Sequence, residues 1–429
     1  METFDVAVIG LGFTGLPVAV AAAEAGYLVM GVDSSPQRVA DVTRGTIASK
    51  LPTVAEHDLR AVLATGRLRV QESASRLPAA GVFVLCVPTP PGSFGGADLA
   101  PLRQATDAVA ACLRTGNLVL VQSTCPPGVV NQVVVPQLLE RTGLRPGVDF
   151  HLAHSPVRID PGVALSPLRS LPRVVGGLTP ACTERAACFL RRLTDHVIPV
   201  SSVQAAELVK VFENTFRLVN ISLVNELAML CQATGVAAEE VLEAASSKPF
   251  GFLRHNPSAG AGGDCVPVSA GFLASAAQRQ GTPAALIEAA IARNNAMPAT
   301  TIRFIEDLLA VNGMRSLRGS RILVAGVTYK PDVPNIRQSA AVKVLELLHH
   351  TAYVSYHDPY VPALVLSDGT NLRSQNLQPG AADLIVLLTN HQVVAASSLM
   401  RCRAPVVDCS AGLPRLLACG QPVTDDTAC

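Results

Sequence analysis

The chain has no run of about eighteen uninterrupted apolar residues and no basic-then-apolar leader at its start, so nothing in it reads as a membrane span or an export signal. Long like-charged runs are missing too. The 34 Lys and Arg stand against 33 Asp and Glu, a net charge of +1 that gives no bias toward nucleic acid or an anionic membrane surface. The 11 cysteines are odd in number, scattered and never spaced Cys-x-x-Cys, which argues against zinc and for reduced thiols. These absences predict a cytoplasmic globular protein with no metal, no nucleic-acid partner and no membrane partner. What the chain has is bulk. With 429 residues, 49% of them hydrophobic, it is long for one core, and two or three domains are expected.

The most informative stretch is Phe4 to Asp33, FDVAVIGLGFTGLPVAVAAAEAGYLVMGVD. It reads as a buried strand, a Gly-x-Gly-x-x-Gly turn, an Ala-rich helix and a second strand ending in Asp. Gly10 permits the tight turn, Gly12 lets backbone approach a pyrophosphate, and Gly15 lets helix pack close on strand. The helix N-terminus then offers N–H groups and a positive dipole end to the phosphates. Asp33 closes the second strand where a carboxylate can accept hydrogen bonds from an adenosine ribose and repel a 2′-phosphate, so NAD is expected rather than NADP.

The rest divides into three. Strands alternate with helices to about Val200, with strands expected at Val82–Val87, Leu118–Gln122, Val174–Gly177 and Val197–Val200. From about Val203 to Leu317 the pattern turns helical, and Ala205 to Cys231, free of Gly and Pro, reads as one long amphipathic spine and a candidate dimer surface. From Ser320 the βα pattern restarts and again ends strand then Asp, at Asp358. Here Gly326 stands alone where the first unit has three glycines, so a different phosphate is expected, held by Lys330 and Arg337. The expected fold is α/β: two Rossmann-like doubly wound domains (1–200 and 318–429) joined by a helical central domain (201–317).

Two further places carry chemistry. In AGAGGDCVP, Cys265 follows Gly262 and Gly263, a loop that can bring a thiol to a ligand without side-chain crowding. On the spine, Lys210, Asn214 and Arg217 recur at i, i+4 and i+7 and share one face. Lys210 is the candidate to stabilise a thiolate or a bound oxyanion. The competing readings are an inert small hydrophobe and a solvated polar stripe.

Taken together, these residues resemble the nucleotide-sugar 6-dehydrogenase family, nearest its UDP-N-acetylhexosamine branch, over nearly the whole chain. VIGLGFTGLP is similar to its first βα turn, implying NAD contacts at Phe13 and Thr14 beside the glycines and at Arg38 beside Asp33. CVPTP and QSTCPPGV resemble further cofactor contacts, at Val87, Pro88, Thr89 and Thr124. ELVKVFENTFRLVNISLVNEL resembles the spine helix and places the family's catalytic lysine and asparagine at Lys210 and Asn214. GGDCVPV places the nucleophile at Cys265, and YKPDVPNIRQS resembles the entry of the UDP-sugar-binding domain. The resemblance implies four-electron oxidation of a UDP-sugar C6 alcohol through a Cys265 thiohemiacetal and thioester, with Thr124 orienting a water or the nicotinamide. Arg158, Lys210, Asn214, Arg217, Phe252, Arg254, Asn256, Gly262, Lys330 and Arg337 would bind the substrate; His255 would at most share in binding it. A homodimer through the spine helix is expected.

The departures are as informative. Val157 and Ser269 stand where the family has a glutamate and an aspartate. Neither can serve as a charged base in thioester hydrolysis. Asp264 precedes the cysteine and would oppose thiolate formation by like-charge repulsion unless Lys210 offsets it; Asp264 or Asp160 could instead supply a relocated carboxylate. Three readings stay open: a four-electron dehydrogenase with a rearranged base, a dehydrogenase stopping after two electrons at an aldehyde or ketone, and a nucleotide-sugar-binding relative without turnover.

Overall fold

A computed structural model describes residues 3–47, 54–72, 77–92, 96–159, 168–394, 399, 402–410 and 412–417. The chain forms two compact units, Met1–Glu213 with Gly271–Pro283, and Asn214–Ala270 with Ala284–Cys429.

The first unit is built on eight strands: β1 (Phe4–Ile9), β2 (Val29–Asp33), β3 (Leu68–Glu72), β4 (Ala80–Leu85), β5 (Leu118–Val121), β6 (His151–His154), β7 (Arg173–Gly177) and β8 (Val197–Pro199). They lie in the order β3-β2-β1-β4-β5-β6-β7-β8. The pairs from β3 through β6 are all parallel, as helical crossovers require, while β7 runs antiparallel to β6 and β8 parallel to β7. Continuous Val and Leu runs in β1, β4 and β5 are buried on both faces, against two apolar clusters. The strand order reverses between β1 and β4, which makes the C-terminal ends of those strands the ligand-binding edge of such a sheet.

The second unit repeats the theme with β9 (Arg321–Ala325), β10 (Tyr353–His357), a small antiparallel pair β11 (Ala363–Val365) and β12 (Asn371–Arg373), then β13 (Leu384–Leu387), β14 (Val406–Asp408) and β15 (Arg415–Leu417). The five-stranded sheet has the order β10-β9-β13-β14-β15. The expected echo of the first βα unit is literal in its hydrogen bonds. Gly10 and Gly326 both adopt positive φ, +92° and +78°, and donate to Val32 and His357 carbonyls at 2.7 and 2.9 Å. Asp33 Oδ2 accepts from Leu11 N–H at 2.7 Å, and Asp358 Oδ2 accepts from Val327 N–H at 2.7 Å. One buried carboxylate closes each turn.

The spine helix spans Val203–Thr234, slightly longer than expected at both ends. It begins in the first unit and continues into the second. Along it Leu208, Phe212 and Leu223 are exposed, whereas Thr215 is buried and Val219 half-buried. No helix among the described residues is long and apolar enough to cross a membrane.

Candidate active site

The glycine turn has the geometry a dinucleotide needs. A Cβ on Gly10 would lie 2.7 Å from the Cys86 carbonyl oxygen, and one on Gly15 only 1.8 Å from Gly10 O, so neither position admits a side chain. At Gly12 the nearest atom to such a Cβ is Arg38 Nη1, 3.8 Å away, leaving backbone accessible. Thr14 stands at the N-cap of the helix Gly15–Glu24 and makes no capping bond through its side chain, so it leaves the first-turn donors to a phosphate. Asp33, 5% exposed, has a second duty: besides Leu11 N–H it accepts from Ser35 N–H at 2.9 Å and from Arg38 Nη1 at 3.2 Å. The carboxylate expected to meet the ribose thus also ties the turn to β2, and Arg38 is its ion-pair partner. These residues fit NAD.

The second predicted cofactor strip is held from below. Thr89 Oγ1 donates to the Thr124 carbonyl at 2.5 Å, and Ser123 Oγ donates to the Val87 carbonyl at 2.8 Å. Pro88 is exposed at the same edge. Lys210 belongs here as well. Its charge opposes protonation of His154, whose pKa is pushed to about 3 by burial first and Lys210 second. It also partly offsets the burial and the Glu207 charge that push the Cys125 thiol pKa well up. Lys210 is therefore at the C-terminal edge of β5 and β6, with Thr124.

Glu207, one turn before Lys210, escaped the sequence reading because a glutamate on a helix reads as solvated. It is 1% exposed, and its carboxylate accepts from Gly128 N–H at 2.6 Å and Val130 N–H at 2.9 Å, pinning the spine to the loop that follows Thr124. Burial outweighs these bonds and raises its pKa from 4.5 to about 7. Glu207 is thus protonated in the folded protein at pH values where it ionises in the unfolded chain. The stability it contributes is fully present below about pH 4.5 and is lost as pH rises through about 7. Urea titrations at pH 5 and pH 8 should show the wild type losing on the order of a few kcal/mol more than Glu207→Gln over that interval. Parallel losses in both proteins would refute the assignment.

In the second unit the cysteine loop is clamped from several sides. Asn294, on the helix Ala285–Val311, accepts from Ala261 N–H at 2.7 Å and donates to Ala261 O at 3.1 Å. Asn225 on the spine accepts from Ser258 N–H at 2.8 Å. Gly263 has φ +85° and donates to the Arg337 carbonyl at 3.1 Å, and a Cβ there would meet the Tyr329 ring at 2.8 Å. Gly262 lies against the Gln338 carbonyl, 2.6 Å from where its Cβ would be. Cys265 emerges half-buried, immediately before the fourteen-residue helix Val266–Arg279.

Asp264 does not stand alone beside the thiol. It pairs with Arg337 Nη1 at 3.4 Å and accepts from Asn335 Nδ2 at 3.3 Å, so the expected repulsion is countered by a cation of the nucleotide-domain entry. Asn214 Nδ2 donates to Ser269 Oγ at 2.9 Å, and Ser269 N–H donates to the Cys265 carbonyl at 2.9 Å. The serine that replaces a carboxylate is thus fully buried and sets the asparagine's orientation. Val157 is 2% exposed and packed into an apolar cluster. Asp160 lies outside the described residues. Arg158 Nη1 pairs with Glu213 at 2.6 Å and its Nη2 donates to Pro172 O at 2.8 Å. In the predicted sugar loop Phe252 is exposed, Arg254 bonds Glu239 and Asn256, and His255 Nδ1 lies 2.9 Å from Leu253 O. Arg217 is exposed and Lys330 half-buried, both in the second unit.

A dinucleotide turn, a thiol at a helix N-terminus and a second nucleotide-type sheet in one chain define a nucleotide-cofactor dehydrogenase. Sequence profiles of the UDP-glucose/GDP-mannose dehydrogenase family match all three regions: the NAD binding domain at residues 4–194, the central domain at 204–296 and the UDP binding domain at 323–412. The chain belongs to this family and is an NAD-dependent oxidoreductase. It is 34% identical over 388 residues to a UDP-N-acetyl-D-mannosamine dehydrogenase of Pyrococcus horikoshii, covering 90% of this chain and 89% of that protein. It is 32% identical to a UDP-N-acetyl-D-glucosamine 6-dehydrogenase of Pseudomonas aeruginosa, covering 85% and 84%. The solved structure of the Pyrococcus horikoshii UDP-D-ManNAc dehydrogenase superposes with a TM-score of 0.85 at 30% identity, over 98% of this chain and 97% of that one.

Proposed function

We propose that the protein oxidises the C6 alcohol of a UDP-N-acetylhexosamine to the uronate in two NAD-dependent steps through covalent attachment to Cys265. The observation that carries this reading is Cys265 itself, delivered by a clamped glycine loop to the N-terminus of a fourteen-residue helix. NAD, held on the glycine turn, supplies the hydride acceptor. Lys210 stabilises the negative oxygen as the alcohol loses its proton and C6 loses its first hydride. The Cys265 thiolate then adds to the aldehyde carbon, forming a thiohemiacetal. Loss of a second hydride gives a thioester, and water cleaves it to carboxylate and thiol. Asn214, held by Ser269, hydrogen-bonds the reacting oxygen, and Thr124 positions water or the nicotinamide end. Lys330 and Arg337 take the diphosphate. Arg158, Arg217 and the loop with Phe252, Arg254 and Asn256 contact the sugar, with Gly262 giving it backbone access.

The relatives' names support the N-acetylhexosamine class. A panel of UDP-, dTDP- and GDP-sugars, followed by NADH absorbance and mass spectrometry of the product, tests it; turnover of UDP-glucose in preference to every N-acetylhexosamine would refute it. A second reading has its own observation. Val157 is buried among apolar groups, Ser269 is engaged by Asn214 and Asp264 by Arg337, so none of these offers a free carboxylate for thioester hydrolysis. On that reading oxidation stops after two electrons at an aldehyde or keto product.

The exposed Leu208, Phe212 and Leu223 on the spine support a homodimer through that helix. Sedimentation showing only monomer at micromolar concentration would contradict the dimer.

A further inference from the structure

A buried cation at the C-terminal edge of the first sheet lacks a hydrogen-bond acceptor among the described residues. Arg173 opens β7 yet is 2% exposed, and its Nη1 and Nη2 have no hydrogen-bond acceptor among the described residues. The sheet register places its companions. His154 pairs with Gly176 across the antiparallel β6–β7 contact, and continuing that register sets Val157 opposite Arg173, with Ser155 on the same face. Val121 pairs with His154 and Leu85 with Val121, so the same face runs on through Gln122 and Cys86. The 3.7 Å contact between Cys86 Sγ and Gln122 Oε1 agrees with that placement. Gln122 Nε2 and Ser155 Oγ are also buried without a partner among the described residues. The helix that follows the glycine turn lies over this face, since a Cβ on Gly15 would come within 2.9 Å of Cys86 Cβ.

The neighbouring charges do not neutralise the guanidinium. Burial brings Arg173 down to about 10, still protonated at neutral pH, while burial raises the Cys86 thiol to about 12 and keeps it neutral. Among the described residues the other charge acting on Arg173 is a second cation, Arg158, already committed to Glu213 and the Pro172 carbonyl. An isolated interior charge is costly enough that proteins pair it or neutralise it. Here the unpartnered groups on this face are hydrogen-bond donors, or a hydroxyl that can donate, and the register sets the apolar Val157 among them.

We propose that Arg173, Gln122 and Ser155 form a buried site for a small monovalent inorganic anion of the halide class, a structural counter-ion beneath the helix that receives the dinucleotide phosphates. A monatomic anion can accept N–H and O–H donors from several directions and is small enough to lie among fully buried groups; a larger organic anion is not. Binding to the folded state alone makes stability depend on anion concentration. Thermal unfolding would be followed in sodium chloride, sodium bromide and sodium gluconate at one fixed ionic strength. The expected result is a melting temperature that rises with chloride or bromide and levels off, and no such rise with gluconate. Val157→Glu places a carboxylate opposite Arg173, so this variant should fold stably and lose the halide dependence; Arg173→Met should lose it too. A bromide-soaked crystal should show an anomalous peak within hydrogen-bond reach of Arg173. Equal melting curves in halide and gluconate overturn the site, as does a halide response that Val157→Glu leaves unchanged. The Val157→Glu arm stays decisive even if Arg173→Met does not fold.

Discussion

Cys265→Ala is expected to lower uronate formation by at least about 10³-fold, because the thioester route has no second nucleophile at the head of the helix Val266–Arg279. The loss should be selective. Alanine leaves the Gly263 φ of +85°, the Asn294 clamp on Ala261 and the Asp264 pair with Arg337 in place, so the nucleotide sugar should bind as before. One hydride can still leave the alcohol, and a burst of up to one NADH per active site is consistent with the mechanism. Mass spectrometry of the wild type quenched during turnover should show an adduct on Cys265 that the variant lacks. Near-normal uronate production by Cys265→Ala would remove covalent catalysis from the account.

Lys210→Ala should cost about 10² to 10³ in kcat, the usual consequence of losing one preorganised group that stabilises a developing oxyanion. Here the first hydride transfer should suffer, so no burst is expected, which separates this variant from Cys265→Ala. Binding of NAD, measured by calorimetry, should stay within a few-fold of wild type, because the glycine turn and Asp33 do not depend on Lys210. Removing the lysine also relieves the field on His154, whose pKa is held at about 3 by burial first, so that histidine stays neutral in the variant. A kcat within a few-fold of wild type would return Lys210 to the polar stripe that its helical spacing equally suggests.

What was legible in the sequence follows from where physics leaves few choices. Gly10 and Gly15 must be glycine because a Cβ would overlap backbone, and such constraints appear directly as a spaced pattern. The restart at Ser320 was readable for the same reason, with one glycine instead of three. β3 and β6 were not expected: LRVQE and HLAH are short, and their polar residues break the apolar runs that mark buried strands. The antiparallel turn-back of β7 is a property of pairing, which one strand's own residues do not encode. The site was read as far as residue types with obvious chemistry. Missed were the supports Glu207, Asn225, Asn294 and Arg173, which are buried polar or charged groups that no motif marks. Their roles come from burial and from partners far away in sequence, such as Gly128 for Glu207 and Ala261 for Asn294. Asp264 shows the converse. Its effect on the neighbouring thiol was anticipated, but not that Arg337 and Asn335 would already hold it.

The proposed four-electron route through Cys265 is tested most directly by counting NADH against nucleotide sugar consumed, with the wild-type protein at limiting UDP-N-acetylhexosamine. Two NADH per sugar, with the uronate as the product by mass spectrometry, is the predicted result. One NADH per sugar with a released aldehyde or keto sugar would contradict it, and would identify Val157 and Ser269 as the substitutions that end the reaction halfway.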